Sequence, residues 1–146
     1  MSFNPRCPFH TAVATAAAIA AVSFIYLRIT RKNIERFDVD ARFTDAVRYG
    51  DLVFISGQVG EIGETIEEQT RSALASVDAA LAKAGTDKSK ILEATIWLAN
   101  IVDDYNGMNK VYDSWIVSGK PPARACIQAK LASENYRIEI RVIAAK

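Results

Sequence analysis

Two short segments near the C-terminus alternate strictly between apolar and polar side chains. They span residues 123–130 and 137–142. Because neighbouring side chains on a β-strand point to opposite faces, each segment is predicted to be a strand with one buried face. A slip of one residue would turn every apolar side chain outward, so the pattern also constrains the register. The faces expected to be buried are Ala123, Ala125, Ile127 and Ala129 in the first strand and Ile138, Ile140 and Val142 in the second.

The polar faces of these strands carry an arginine and a glutamate. If the strands pair as a hairpin through the turn at residues 133–135, Arg124 and Glu139 lie side by side on one face of a sheet. Two interpretations remain open. The pair can be a cross-strand ion pair worth ~0.2–1 kcal/mol. Alternatively, it can be a small-molecule site in which Arg124 binds a carboxylate and Glu139 handles a water or a proton.

Turn residues divide the rest of the chain into further strands. Apolar runs bounded by glycine and polar clusters predict strands at residues 34–39, 42–49, 52–56 and 91–99. In the second of these, the candidate inward residues are Phe43, Ala46 and Val47. Residues 57–63 are predicted to form a loop.

Capping signals and helical apolar spacing indicate two helices. Thr65 and Glu68 match a capping box, and Gly85 supplies a left-handed stop. The second helix is predicted to be capped by Asp103 or Asp104 and to end before Gly119. The apolar stripes are Ile66, Thr70, Ala73, Leu74, Val77, Leu81 and Ala84 in the first helix and Tyr105, Met108, Val111, Tyr112, Trp115 and Ile116 in the second. We interpret the aromatic stripe of the second helix as core rather than as a cofactor site.

The resulting order is β-β-β-α-β-α-β-β, an α+β fold with a mixed sheet. Two helices can cover only one face of such a sheet. The other face must therefore meet solvent, a ligand or another subunit.

The composition excludes several classes of function. The only histidine, His10, lies near the N-terminus, so the globular part holds no histidine-based triad or histidine-rich zinc site. Cys7 and Cys126 do not make a disulfide framework. The glycines of the 57–63 loop lack the spacing and the Lys-Ser/Thr ending of a phosphate-binding loop. No metal or cofactor is expected.

The chain divides into an N-terminal extension, residues 1–33, and a globular domain, residues 34–146. The extension holds four of the 18 Lys and Arg residues and none of the 17 Asp and Glu residues, so the domain is mildly acidic and nucleic-acid binding is not expected. Its apolar run, residues 12–27, leaves three interpretations open: a signal-anchor with the domain in the cytoplasm, an organelle-targeting segment such as a mitochondrial one, or a helix packed on the protein itself. Localisation therefore stays open.

Five short motifs occur in order along the domain. The motifs are Ser56-Gly57-Gln58, Glu68-Gln69-Thr70, Asn109 with aromatics after it, Pro122-Ala123-Arg124-Ala125-Cys126 and Ile138-Glu139-Ile140. Together they resemble the Rid (YjgF/RutC) family of reactive-intermediate deaminases. The stretches Asp87-Lys88-Ser89-Lys90-Ile91-Leu92 and Met108-Asn109-Lys110 resemble in particular its YoaB-like branch.

The resemblance implies a chorismate-mutase-like fold, a homotrimer with clefts between subunits, and hydrolysis of 2-imino acids such as 2-iminobutanoate and 2-iminopropanoate to keto acids and ammonia. It implies that Arg124 binds the substrate carboxylate and that Glu139 positions the attacking water. It also implies that the backbone amide of Cys126, the loop residues Ser56 and Gly57, and the side chain of Asn109 border the pocket. Phe43 stands where well-studied members have a tyrosine, so the pocket loses a hydroxyl.

Other functions remain open beside imine hydrolysis. The same Arg124 clamp suits a non-catalytic module that binds keto acids or related metabolites. Ribonuclease activity, ascribed to some members of the family, is disfavoured by the acidic domain and its lack of histidine. A chaperone of the holdase type is neither supported nor opposed by the sequence.

Overall fold

Within the residues that the structure describes, the chain folds as one mixed sheet of six strands with two helices, as expected from the order of its elements. The computed structural model describes residues 33–60 and 65–146, so the apolar run at residues 12–27 lies outside the described residues. The strands are β1 Ile34–Val39, β2 Thr44–Tyr49, β3 Leu52–Val59, β4 Ile91–Leu98, β5 Ala123–Gln128 and β6 Ile138–Ala145. The helices are α1 Ile66–Lys83, between β3 and β4, and α2 Ile101–Trp115, between β4 and β5.

The strand order across the sheet is β1-β2-β3-β6-β4-β5. All neighbours run antiparallel except β4 and β5, which run parallel because α2 forms the crossover between them. β6 lies inside the sheet between β3 and β4. Its residues Ile138, Ile140 and Val142 are at most 1% exposed, which confirms the predicted buried face of this strand.

The predicted hairpin between the last two strands is wrong, since β4 lies between β5 and β6. In β4, Ala94 faces the helices and is fully buried, and it pairs with Arg124. Trp97, three residues further along β4, points to the opposite face and pairs with Glu139. Arg124 and Glu139 therefore project from opposite faces of the sheet. The local pattern could not reveal this, because the parallel crossover through α2 decides which strand β5 joins.

The predicted buried face of β5 is inverted. Cys126 packs against the core, whereas Ile127 is 48% exposed. The alternation in this strand rests mostly on alanines, whose burial gains little, and β5 is an edge strand that the register of β4 positions. The burial of β4 therefore overrides the weak pattern of β5.

The predicted start of α1 is confirmed, whereas the predicted start of α2 is wrong. Thr65 and Glu68 form the predicted capping box, and the predicted stripe of α1 is buried. α2 begins earlier than predicted, because Asn100 is the cap and its side chain accepts hydrogen bonds from the amides of Val102 and Asp103. The expectation of an Asp103 or Asp104 cap is therefore wrong. Gly85 and Gly119 adopt positive φ angles after the helices, as predicted.

Four other expectations need correction, for Phe43, Tyr105, Gly57 and Val47. Phe43 lies before β2 and is 55% exposed rather than inward, and Tyr105 on α2 is 43% exposed. Gly57 belongs to β3 and not to a loop, because β3 keeps pairing with β6 as far as Val59. Ala46 is buried, as predicted, while Val47 points away from the helices.

Both helices pack on one face of the sheet, and we call the other side the open face. Neither helix in the described part of the chain is long and apolar enough to cross a membrane. Several open-face side chains are apolar or aromatic, a composition that suits contact with another molecule. The open face carries Val47, Phe54, Trp97, Glu139, Arg141 and Ile143.

Candidate functional site

Arg124 lies on the edge strand β5, and α2 fixes its guanidinium. Nη2 donates to Oδ1 of Asn109 at 2.8 Å and contacts the sulfur of Met108 at 3.4 Å. The guanidinium carbon lies 4.4 Å from the ring centroid of Tyr112, a cation–π distance. These three partners share one side of α2 because their spacing is close to one helical turn. The arginine is therefore oriented by three contacts from a single helix.

Cys126 lies two residues after Arg124, on the same face of β5. Burial raises the pKa of its thiol, and the charge and hydrogen bond of Arg124 oppose that rise only in part. At neutral pH the side chain is therefore a thiol, whereas a nucleophilic cysteine must be a thiolate. The chemistry open to Cys126 is that of a small, weakly polar wall beside the guanidinium.

Glu139 lies on the open face and is closely flanked by Gly57. The register between β3 and β6 shifts between Ile55 and Gln58, and this irregularity brings Gly57 against the glutamate. A Cβ atom at Gly57 would overlap the Glu139 carboxylate. Next to it, Oγ of Ser56 donates to the carbonyl of Thr44 at 2.5 Å. The absence of a side chain at residue 57 is what leaves room for the carboxylate.

An open cavity of about 340 Å³ adjoins this group on the open face. It is lined by Val47, Phe54, Ile55, Ser56, Gly57 and Arg141. Two larger cavities, of about 510 and 590 Å³, contain none of the predicted site residues. Among residues 33–60 and 65–146, no cluster of three or more histidine, cysteine or acidic side chains could hold a metal ion.

Comparison with known proteins identifies the family. A family model described as Endoribonuclease L-PSP matches residues 33–146. The RutC family protein YoaB of Escherichia coli K12 is 40% identical over 113 residues, which cover 77% of this chain and 98% of that protein. A crystal structure of a YjgF-family protein from Neisseria meningitidis superposes with a TM-score of 0.76 and 44% identity, over 78% of this chain and 95% of the other. The chain belongs to the L-PSP/YjgF/RutC family.

A second solved structure carries a different name within the same fold. It is a putative endoribonuclease L-PSP from Entamoeba histolytica, 27% identical with a TM-score of 0.68, and the match covers 76% of this chain and 93% of that one. Names in the L-PSP/YjgF/RutC family thus do not agree on one activity.

In this L-PSP/YjgF/RutC chain the predicted site residues fall into two groups. Arg124, Asn109 and Cys126 lie together between β5 and α2. Ser56, Gly57 and Glu139 lie together on the open face. Phe43 directly precedes Thr44, whose carbonyl accepts the Ser56 hydrogen bond. One protomer therefore does not place Arg124 beside Glu139.

Two roles of residues near the site could not be predicted from the sequence. Met108 and Tyr112 are buried, as predicted, but they also contact the guanidinium of Arg124; the helical spacing of Asn109 and Tyr112 was the available signal. Gln69, which the sequence marks only as part of a family motif, is 1% exposed: its Nε2 donates to the Asn135 carbonyl at 3.0 Å and its Oε1 accepts from the Arg137 amide at 2.9 Å. Nothing in the local pattern marks a buried amide of this kind.

We call the two hydrogen bonds of Gln69, to the Asn135 carbonyl and from the Arg137 amide, the Gln69 brace. A buried acid holds the same segment from the other helix. Asp104 on α2 is 1% exposed and accepts hydrogen bonds from the guanidinium of Arg137. That side-chain hydrogen bond is the main reason why the pKa of Arg137 is raised. Together, Gln69 and Asp104 fix Arg137, which directly precedes β6 and lies two residues before Glu139.

Proposed function

We propose that this protein hydrolyses reactive 2-imino acids, such as 2-iminobutanoate and 2-iminopropanoate, to 2-keto acids and ammonia. The observation that carries the proposal is the guanidinium of Arg124, which α2 orients on an exposed edge strand. A planar, permanently charged fork suits a carboxylate, and a metabolite with a carboxylate beside its reacting carbon is anchored well by such a group. Membership of the L-PSP/YjgF/RutC family agrees with this substrate class.

The reaction asks little of the protein besides positioning. Water adds to the electrophilic imine carbon, the carbon–nitrogen bond then breaks, and ammonia leaves as the carbonyl forms. In the proposal Arg124 holds the carboxylate, and Glu139 accepts a hydrogen bond or a proton from the attacking water. Holding both reactants in a productive geometry can supply much of the acceleration.

Because Arg124 and Glu139 project from opposite faces of one sheet, the proposal requires two copies of the chain at each site. Arg124 of one copy would meet Glu139 of the next in a cleft between them. The open face supports such an assembly, since it presents Phe54, Trp97 and Ile143 on the side of the sheet that neither α1 nor α2 covers. We propose a homotrimer, in which three equivalent clefts close a ring.

The test supplies 2-iminobutanoate from a coupled enzyme and measures release of 2-oxobutanoate. Arg124→Ala should raise KM by about 10- to 100-fold, because charge-assisted hydrogen bonds to the carboxylate are lost. Glu139→Gln should lower kcat by about 100-fold or more, because the water loses its acceptor. Arg71→Ala, at an exposed arginine on α1, is the control and should behave as wild type.

Two results would contradict the proposal. One is a KM for 2-iminobutanoate in the Arg124→Ala variant that equals the wild-type value. The other is binding of 2-oxobutanoate by the wild-type protein without any hydrolysis of the imine, which would select a non-catalytic metabolite-binding module instead.

A further inference from the structure

We propose that Tyr112 is a positioning residue for Arg124, with Asn109 as its second support. In this proposal the face of the Tyr112 ring and the amide oxygen of Asn109 set the plane of the guanidinium before any ligand arrives. The inference rests on the proposed function, since it explains how the carboxylate clamp is preorganised. Tyr112 acts through Arg124 and need not touch the substrate.

The ring offers a rigid platform. Tyr112 is 4% exposed, and its ring contacts that of Trp115 at a centroid distance of 5.7 Å and an interplanar angle of 50°. The guanidinium carbon lies 4.4 Å from its centroid, well inside the ~6 Å range of cation–π attraction. A long arginine side chain on an exposed strand would otherwise sample many rotamers. The conformational entropy lost when a ligand fixed one of them would then weaken binding.

The attraction is to a neutral ring. Burial raises the pKa of Tyr112, and the positive charge of Arg124 only reduces that effect, so the phenol stays protonated at neutral pH. The hydroxyl is buried and has no hydrogen-bond partner within the described residues. The ring face, and not the hydroxyl, is therefore what holds the arginine.

The two Nη2 contacts differ in strength. The amide oxygen of Asn109, at 2.8 Å, is a full acceptor, whereas the thioether sulfur of Met108, at 3.4 Å, is a weak one. An arriving carboxylate oxygen can replace the sulfur while Asn109 and the ring keep the plane fixed. The guanidinium thus changes one weak partner without losing its orientation.

Paired substitutions separate the ring from the hydroxyl. Tyr112→Leu removes the ring and Tyr112→Phe retains it; Tyr105→Leu, at an exposed tyrosine of the same helix, is the control. We expect Tyr112→Leu to raise both KM for 2-iminobutanoate and Kd for 2-oxobutanoate by about 10-fold, with kcat within about three-fold. Tyr112→Phe should restore both constants to within about two-fold of wild type, and Tyr105→Leu should leave them unchanged.

A readout that needs no activity tests the same contact. In an NMR spectrum the Arg124 Nε–Hε signal should be displaced by the ring current in the wild type and in Tyr112→Phe, and should move towards an ordinary arginine shift in Tyr112→Leu. An undisplaced wild-type signal, or a Tyr112→Leu variant with the wild-type signal and wild-type KM, would overturn the inference.

Two further outcomes remain decisive. If the wild type neither hydrolyses the imine nor binds 2-oxobutanoate, the proposed function fails, while the NMR signal still decides whether Tyr112 orients Arg124. If Tyr112→Leu does not fold, Asn109→Ala replaces it, at a half-buried position. That variant should raise the 2-oxobutanoate Kd by about 10-fold. An unchanged Kd would contradict the inference that α2 preorganises Arg124.

Discussion

At the scale of single residues, the position of Glu139 on the open face depends on the lack of a Cβ atom at Gly57. Gly57 lacks the Cβ that would overlap the Glu139 carboxylate, so Gly57→Ala should push that carboxylate aside. The obstructing atoms belong to the end of a flexible side chain, so the fold should tolerate the change within about 0.5 kcal/mol. Because small misplacements of a catalytic group are costly, we expect kcat/KM for 2-iminobutanoate to fall by about 10- to 100-fold.

Gly119→Ala is the matched control, and it should lower stability without lowering activity. Gly119 has a φ of 75° and a Cβ there would meet no atom within 4 Å, so only backbone strain is introduced. It should lower the free energy of unfolding by about 1 kcal/mol, measured by urea denaturation, and leave turnover intact. Full activity in Gly57→Ala would show that the position of Glu139 does not matter.

The sequence indicates candidate site residues but not their surroundings. Residue type marked Arg124 and Glu139 as candidates, because a fixed cation and an acid have obvious chemical uses. Their placement on opposite faces depends on β4, which pairs with both strands and is remote from both in sequence. Alternation within one strand defines two faces but does not say which of them meets the helices.

At the scale of elements, α1 does more than cover the sheet, because its first turn fixes the chain before β6. Gln69→Leu keeps the approximate volume but removes both hydrogen bonds, to the Asn135 carbonyl and from the Arg137 amide. Since these groups become unpaired in a buried setting, the free energy of unfolding should fall by about 1–3 kcal/mol. Amide hydrogen exchange at Arg137 should become faster.

Gln128→Leu is the control for this substitution. Its Oε1 also accepts a backbone hydrogen bond, from Ile101 at 3.1 Å, but in an exposed setting where water can replace it. The expected loss is within about 0.5 kcal/mol. Equal losses in the two variants would show that burial of Gln69 is not what matters.

Elements with strong local signals were predictable, and those set by distant contacts were not. The capping box of Thr65 and Glu68 is local, so α1 was placed correctly. The start of α2 was misplaced by a few residues because asparagine and aspartate cap almost equally well, and Asn100 precedes both acids. The Gln69 brace joins residues more than 60 positions apart, and no short pattern reports such a contact.

At the scale of the whole molecule, the proposed site requires more than one copy of the chain. The two candidate catalytic side chains cannot meet within one protomer, because the sheet separates them. Their opposition would contradict the proposed mechanism if the protein were a monomer. It is consistent with a cleft in which neighbouring copies each contribute one of the two groups.

Mixing two impaired variants tests this arrangement directly. At a substrate concentration well below the wild-type KM, Arg124→Ala and Glu139→Gln should each retain at most about a tenth of the wild-type turnover. A mixed trimer of the proposed kind would contain clefts where the intact arginine of one copy meets the intact glutamate of the next. After the variants are unfolded, mixed in equal amounts and refolded, about one quarter of the clefts should be intact if assembly is random. Turnover should therefore recover to about a quarter of the wild-type value, while each variant refolded alone stays at or below about a tenth of it. No recovery in a mixture that light scattering shows to be trimeric would mean that the two residues do not act across a subunit boundary, and the proposed mechanism would fail with it.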